Sequence, residues 1–243
     1  MHKIKPTKHI VAFIDILGGE HIIYNDKNNY YLNNIKYLYD YFGTFLDKQK
    51  NNKLRYIDIN IFSDNILISS EVHYETAIMV RKTINEFFIL VSQFQLMALL
   101  KGIPIRGGIS YGDLYIDNKN FVWGKALVEA YKLEKRAIYP RIKVGAKAMI
   151  LLQEIDKKYK SVSFLNHLPI VKGKDKVPYV YYINNILKSS NEENTLSHIK
   201  DFLLLQIQQF KTNEKIRSKW QWLINEFNEY CEVREKDNMK IIQ

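Results

Sequence analysis

Cysteine is almost absent from this chain, which has 243 residues and a single cysteine, Cys231. One thiol cannot form a disulfide within the chain, so a disulfide-stabilised extracellular scaffold is excluded and a reducing compartment is favoured. The sequence also lacks an uncharged apolar run of about 18 residues, the length that a membrane-spanning helix needs. The basic residues 1–6 are not followed by the apolar stretch of a signal peptide. We therefore predict a soluble, cytoplasmic protein with no membrane partner.

Acidic residues are fewer than basic ones, 26 against 36, which gives a formal net charge of +10. Such a charge favours an anionic partner, either the phosphates of a nucleotide or a nucleic acid. Most of the charge comes from scattered lysines, and no stripe of clustered basic residues with aromatics, typical of a nucleic-acid surface, is visible. We therefore expect a nucleotide as the anionic partner and no nucleic acid.

Apolar periodicity predicts an α+β fold. The expected strands lie near residues 9–16, 54–62, 66–70, 104–112, 113–124, 141–144 and 179–183. The expected helices lie near residues 30–49, 74–101, 125–135 and 145–157. Because the second and third strands are joined by a tight turn and not by a helix, the pattern is ferredoxin-like, with a mostly antiparallel central sheet and flanking helices.

The C-terminal part has a different composition from the rest of the chain. From Thr195 onward, two polar amphipathic helices are expected, separated near residues 212–213. The polar segment 188–194 is the best candidate for a linker. We therefore predict a catalytic domain over residues 1–187 and a C-terminal helical extension over residues 188–243.

Two aspartates stand at the ends of predicted strands. Asp15 follows the apolar run 10–14, and Asp64 lies in the predicted hairpin turn. A charged residue at the end of a buried strand is rarely without a role, and two carboxylates can hold two divalent cations about 4 Å apart. Gly18 and Gly19, just after the first strand, would let backbone amides approach phosphate oxygens at the start of a helix. These residues predict a site for a polyphosphate and Mg²⁺ or Mn²⁺.

Four motifs follow one another in a fixed order. They are a strand ending in Asp15, a hairpin carrying Asp64, an Arg-Gly-Gly-Ile strand that starts at Arg106, and a Trp-Gly motif opening a helix from Trp123 to Glu134. In this order they resemble the catalytic domain of the class III nucleotidyl (adenylate and guanylate) cyclases. The similarity covers about residues 9–145, more than half of the chain.

The resemblance implies a fold, a reaction and an assembly. It implies that Asp15 and Asp64 bind two Mg²⁺ or Mn²⁺ ions per active site, with the Ile16 carbonyl as a further ligand. It implies attack of a ribose 3′-hydroxyl on the α-phosphate of a nucleoside triphosphate, with pyrophosphate leaving. It also implies a head-to-tail homodimer with composite active sites, because each subunit of the family lends its helix to the metal site of the other.

Four positions depart from the pattern of the purine cyclases. The lysine and aspartate that select a purine are replaced by Asn60 and Phe121, and the transition-state asparagine and arginine by Val128 and Lys132. Lys132 therefore offers a point charge where the family has a planar fork. We expect Lys132 and Arg106 to be catalytic, and Asn60 and Phe121 to line a base pocket too small for a purine. For Arg106, the alternative is a surface ion pair.

The hairpin, the Arg106 strand and the Trp-Gly helix resemble most closely the bacterial pyrimidine cyclases of the Pycsar antiphage systems, and residues 219–228 resemble their helical tail. That subfamily implies a pyrimidine substrate and a cyclic nucleotide product that a separate effector senses during infection. UTP is favoured here, and CTP stays open because the amide of Asn60 can pair with either base by exchanging donor and acceptor.

Three other functions stay open. A polymerase-palm or diguanylate-cyclase-like enzyme would also place two aspartates on adjacent strands, although the Gly-Gly-Asp-Glu-Phe hairpin of the diguanylate group is absent. A catalytically silent nucleotide sensor is favoured if Val128 in place of the asparagine abolishes catalysis. A basic RNA-binding module would need clustered basic residues and exposed aromatics, which the sequence does not show.

Overall fold

Strands and helices are interspersed along the chain until residue 180, and two long helices come after them. The structure is a computed structural model and describes residues 5–50, 57–73, 76–117, 121–159, 164–188 and 191–242. The strands are β1 (Thr7–Ile16), β2 (Ile57–Phe62), β3 (Asn65–Glu71), β4 (Ile105–Ile116), β5 (Val122–Trp123), β6 (Ile142–Val144), β7 (Ile170–Lys172) and β8 (Pro178–Val180). The α-helices are α1 (Gly19–Tyr24), α2 (Tyr30–Lys50), α3 (Ala77–Leu100), α4 (Lys125–Lys135), α5 (Ala146–Tyr159), α6 (Glu192–Gln209) and α7 (Glu214–Val233).

The strands form one sheet in the order β2-β3-β1-β4-β6-β8-β7, with β5 paired to β4. Strand β1 is antiparallel to both of its neighbours, β3 and β4. Strands β2 and β3 form an antiparallel hairpin, and among the described strands only β4 and β6 pair in parallel. The order 2-3-1-4, with helices between β1 and β2 and between β3 and β4, is the ferredoxin-like arrangement. The expected α+β fold, with a mostly antiparallel sheet, flanking helices and C-terminal helices, is confirmed.

Strand β1 is covered on both faces. Ile10, Ala12 and Ile14 point into the main apolar core, which also contains residues of α3. Val11, from the opposite face of the strand, packs with Ala126 and Ala130 of α4. Since side chains alternate between the two faces of a strand, an apolar residue at every position from 10 to 14 is what a doubly covered strand requires. Asp15 therefore stands near the end of a strand that is enclosed on both faces.

Several boundaries differ from those expected. The predicted break near residues 112–113 is wrong, because β1 pairs with β4 continuously from Ile16↔Ile105 to Thr7↔Leu114. Strand β5 is only two residues long. The predicted strand over 179–183 is shorter and ends at Val180. Strand β7 was not predicted. Helix α1 begins at Gly19, where the glycines after Asp15 predicted the start of a helix. Residues 54–56 and 118–120, both assigned above to strands, lie outside the described residues.

The two C-terminal helices are confirmed, with the break where the sequence predicted it. Asn213 caps α7, its side-chain oxygen accepting the N–H of Ile216 at 3.2 Å. The helices build a second apolar core in which Leu203 and Phe227 pack with Leu96 and Leu99 from the end of α3. Helices α6 and α7 thus pack against the C-terminal end of α3. The domain division at residue 188 stays a prediction.

Helix α3 is apolar enough to be compared with a membrane span. Among the described residues it is the one helix that is long and apolar enough to cross a membrane, with a mean hydropathy of 1.4 over its most apolar window. Within that window 67% of the residues are buried inside the protein. Its residues Val80, Ile84 and Phe87 are fully enclosed by the sheet and its neighbours. The apolar character of α3 is therefore accounted for by the core.

Candidate active site

The structure brings Asp15 and Asp64 to the same end of the sheet. Asp15 stands opposite Asn65 in the β1–β3 register, and the N–H of Ile16 donates to the carbonyl of Asp64 at 3.0 Å. Ser63, just before Asp64, has a φ of +56°, so the chain reverses within a tight turn. Both aspartates line a groove of about 610 Å³. The pairing of the β2–β3 turn with the end of β1 is thus what places the carboxylates together.

Gly19 leaves room for the Asp64 carboxylate. A Cβ atom at Gly19 would lie 2.5 Å from Oδ2 of Asp64, closer than any real contact. Gly18, directly before it, has a φ of +82°, a conformation that glycine adopts at little cost. The sequence predicted that these glycines approach phosphate oxygens, which stays a prediction. The close approach seen in the structure is that of Gly19 to the Asp64 side chain, where the start of α1 packs against the hairpin turn.

Arg106 holds the Asp15 carboxylate in place. It stands opposite Asp15 in the β1–β4 register, and its Nε and Nη2 contact Oδ2 of Asp15 at 3.0 and 2.9 Å. Its Nη2 also lies 3.0 Å from Oε1 of Glu134, and its Nη1 donates to the carbonyl of Ala137 at 3.3 Å. The guanidinium therefore bridges two carboxylates. The expected catalytic role of Arg106 stays a prediction, while the contacts seen make it a positioning residue for Asp15.

Glu134 is a functional candidate that sequence reasoning missed. It lies on α4 and is only 1% exposed. Burial raises the pKa of the Glu134 carboxyl, the Arg106 guanidinium opposes that rise, and the Asp15 carboxylate adds to it. Nothing local in the sequence distinguishes this glutamate from Glu129, which is on the same helix and 40% exposed. Its burial depends on how α4 packs on the sheet, which is a long-range contact.

The remaining walls of the groove come from β2, β3, β5 and α4. Asn60 and Asn65 line it beside the two aspartates. Tyr131 and Lys135 also line it, and sequence reasoning assigned neither of them a role there. The Tyr131 ring contacts Phe13 edge to face at 5.5 Å, and the Lys135 ammonium lies 5.2 Å from the Tyr131 ring. The groove thus has two amides, one cation and an aromatic wall besides its carboxylates.

Two predicted site residues lie outside this groove. Phe121 is exposed, with its ring centroid 6.2 Å from that of Tyr115. Lys132 is on the solvent side of α4, where its ammonium lies 3.6 Å from Glu129. Their expected roles, a wall of the base pocket and a catalytic cation, stay predictions. If the active site is composite, as the resemblance implies, both residues would belong to the groove of the other subunit.

The donor set of the groove fits Mg²⁺ or Mn²⁺ bound together with a polyphosphate. Among the described residues, no group of three or more His, Cys, Asp or Glu side chains could enclose a metal ion. Asp15 and Asp64 provide two hard carboxylates on the open groove. Mg²⁺ characteristically uses one or two carboxylates and completes its shell with waters and substrate phosphates. Two aspartates without a protein cage are therefore what a metal–nucleotide site requires.

A second groove, of about 840 Å³, borders the first and shares Val122 and Leu127 with it. Its outer wall carries Trp123, which is 72% exposed, and Val128, which is 50% exposed. Phe62, on the rim of the first groove, is also exposed. Large apolar side chains gathered on one surface mark a contact face more often than a solvated one. Both grooves therefore open onto a surface suited to another protein.

The chain is similar in fold to solved structures of cyclase domains. The adenylyl cyclase CyaB from P. aeruginosa gives a TM-score of 0.48 at 13% identity, over 62% of this chain and 82% of that chain. The monomeric guanylyl cyclase domain of the RhoGC fusion protein from Blastocladiella emersonii gives 0.46 at 14% identity, over 72% and 95%. A bacterial light-regulated adenylyl cyclase gives 0.42 at 13% identity, over 82% and 58%. No protein-family model and no curated protein sequence matches the chain. The chemistry of this chain depends on the residues of its groove, because function resides in sites and not in folds.

Proposed function

We propose that this protein is a metal-dependent nucleotide cyclase that converts a pyrimidine nucleoside triphosphate, UTP in the first instance, into its 3′,5′-cyclic monophosphate and pyrophosphate. The observation that carries the proposal is the meeting of Asp15 and Asp64 on one open groove at the end of the sheet. Two unenclosed carboxylates beside a cationic residue, Lys135, suit a substrate that arrives with its own phosphates and cations.

The side chains around Asp15 are held in place before substrate binds. Asp15 and Asp64, with the Ile16 carbonyl, would hold two Mg²⁺ or Mn²⁺ ions, which when bound activate the 3′-hydroxyl and neutralise the triphosphate. Arg106 and Glu134 fix the orientation of Asp15, so little reorganisation is needed when the nucleotide arrives. Lys135 adds positive charge facing the same groove.

A head-to-tail homodimer would complete the site. Lys132 and Phe121 lie outside the groove of their own chain, and the exposed Trp123 and Val128 provide an apolar face beside them. A partner docked on that face would bring its Lys132 toward the triphosphate and its Phe121 toward the base. The cation of the transition state would then come from the second subunit.

The neutral amide of Asn60 supports a pyrimidine as the base. Asn60 lines the groove where a purine-selecting lysine stands in the related cyclases. An amide pairs equally well with the O4 and N3 edge of uracil or the N4 edge of cytosine. A misfitted buried polar edge costs about 1–3 kcal/mol, so UTP or CTP should react at least about tenfold faster than ATP.

The resemblance to the Pycsar cyclases supports a biological role. We propose that the cyclic nucleotide, cyclic UMP or alternatively cyclic CMP, is a second messenger made in the cytoplasm during phage infection. A separate effector would sense it. The cyclase itself would need no nucleic acid and no membrane.

The decisive experiment is to incubate the purified protein with ATP, GTP, CTP and UTP separately, in the presence of Mn²⁺, and to quantify cyclic nucleotide and pyrophosphate. Cyclic UMP or cyclic CMP is the expected main product. Asp15→Asn and Asp64→Asn should each reduce turnover to a few per cent or less, because each removes a charged ligand. Asp40→Asn, on the exposed face of α2, is the matched control and should retain full activity.

Two results would overturn the proposal. Faster conversion of a purine than of both pyrimidines would refute the assignment of the base pocket. Absence of any cyclic product from all four triphosphates would refute the proposed cyclase activity. In that case the silent nucleotide sensor would be favoured, since Val128 stands where the family has its transition-state asparagine and is half exposed on α4.

A further inference from the structure

A chamber of about 540 Å³ lies between the start of α1 and the two C-terminal helices. Its inner side is formed by Leu17, Gly18 and His21, which come directly after the Asp15 strand, and its outer side by residues of α6 and α7. It shares no lining residue with the two grooves near Asp15 and Trp123. The chamber is therefore a distinct site at which the C-terminal helices meet the catalytic end of the sheet.

The polar lining of this chamber is suited to an anion. Among the residues that line it there is no aspartate and no glutamate. The polar side chains include the amides of Gln206 and Gln209 from α6 and the ammonium of Lys219 from α7. Amides and an ammonium donate hydrogen bonds, and charged donors bind anionic oxygens most strongly. A cation would find no charged ligand in the lining.

Lys219 is the one lysine or arginine among the residues that line the chamber. Burial lowers the pKa of its ammonium, and the nearby Arg106 guanidinium lowers that pKa further, against a smaller opposing effect of Asp15. Within the described part of the chain, no carboxylate forms an ion pair with Lys219. A partly desolvated ammonium beside another cation is unfavourable unless an anion accompanies it. Its electrostatic interaction with Arg106 and Asp15 also places it close to the catalytic carboxylate.

We propose that this chamber is a phosphate-binding site in which Lys219 of the C-terminal helices is the principal cation. The proposal rests on the function proposed above for the choice of a phosphoanion, because the chamber adjoins the strand end that would hold the triphosphate. The phosphate could be the tail of the substrate itself or a separate phosphorylated regulator. In either case the C-terminal extension contributes a ligand-binding residue to the catalytic end of the sheet.

The test measures binding of inorganic tripolyphosphate by calorimetry to the full-length protein with metal ions chelated, so that the aspartate site does not contribute. The wild type should bind the probe, and Lys219→Gln should bind it at least about tenfold more weakly. Lys219→Arg keeps the charge and should bind within a few-fold of the wild type. Arg217→Gln, which removes an exposed cation of α7 that does not line the chamber, is the matched control and should leave affinity unchanged.

The same variants distinguish the two sources of phosphate. A rise in KM for the nucleoside triphosphate in Lys219→Gln, with kcat little changed, would identify the substrate tail as the ligand. An unchanged KM with loss of tripolyphosphate binding would identify a separate phosphorylated ligand. Equal binding by wild type and Lys219→Gln, or no binding by a wild type that is folded by thermal melting, would overturn the proposal. The binding measurement needs no turnover, so failure of the cyclase assay would not be confused with failure of this site.

Discussion

At the scale of single residues, Gly19 sets the position of a carboxylate that is proposed to bind metal. The change Gly19→Ala would place a methyl group 2.5 Å from Oδ2 of Asp64, so we expect the carboxylate to be displaced and turnover to fall by at least about tenfold. Gly43→Ala is the control, because a Cβ at Gly43 of α2 meets nothing within 4 Å. It should keep full activity and, as alanine favours helix, gain up to about 1 kcal/mol in stability. Equal activity of the two variants would contradict the contact.

Glu134 makes a second residue-scale prediction, on the pH dependence of stability. Its pKa is raised above the ordinary value of 4.5 in the folded protein, chiefly by burial. The folded state therefore keeps a proton that the unfolded state has already lost, and the stability that depends on it falls as pH rises through the folded pKa. Glu134→Gln cannot ionise and should lose this dependence. The test is the free energy of unfolding of both proteins, measured with urea in metal-free buffer from pH 4.5 to neutral pH. As pH rises, the glutamine variant should become more stable relative to the wild type. A stability difference that does not change with pH would contradict the raised pKa of Glu134.

At the scale of elements, the absence of a side chain at Gly108 lets α4 pack closely against β4. A Cβ at Gly108 would lie 2.3 Å from Cβ of Leu133 and 2.4 Å from the carbonyl oxygen of Ala130, both on α4. Gly108→Ala should therefore push the helix away from the sheet and lower the free energy of unfolding by about 1–3 kcal/mol. Because Glu134 would be displaced together with α4, turnover should fall by more than the loss of folded protein accounts for. Urea unfolding and turnover measured on the same preparation would test this, with Gly43→Ala again as the control.

The element scale also shows what sequence could predict. The ends of β1 and of the β2–β3 hairpin were predictable because runs of apolar residues stop at Asp15 and at the turn before Asp64. The roles of Glu134 and Lys135 were not, because they depend on the packing of α4 on a strand distant in the chain. Strand β7 has three residues, too few for a periodic signal. The break predicted within β4 failed because pairing with β1 overrides the local turn signal of Gly112 and Asp113.

At the scale of the whole molecule, the proposed composite site can be tested by mixing inactive chains. Asp64→Ala removes a metal ligand, and Lys132→Ala removes a cation proposed to act in the other subunit. A mixed dimer has one site with both defects and one with none, so equal amounts of the two chains should recover about a quarter of wild-type activity. Mixing Asp64→Ala with Asp15→Ala should recover none, because each site of the mixed dimer then lacks one of its two metal-binding aspartates. Recovery in both mixtures, or in neither, would contradict the head-to-tail arrangement.

The central place of β1 has a consequence for how the protein opens. Strand β1 is an inner strand that pairs with β3 from His9 to Asp15 and with β4 from Thr7 to Ile16, so between His9 and Asp15 it has a neighbour on both sides. Amides of such a segment exchange with solvent mainly when the domain unfolds globally, whereas helix ends and edge strands exchange through local fluctuations. We therefore expect Asp15 to belong to the slowest-exchanging segment of the chain. Its carboxylate would keep its place through the local fluctuations that loosen the rest of the molecule.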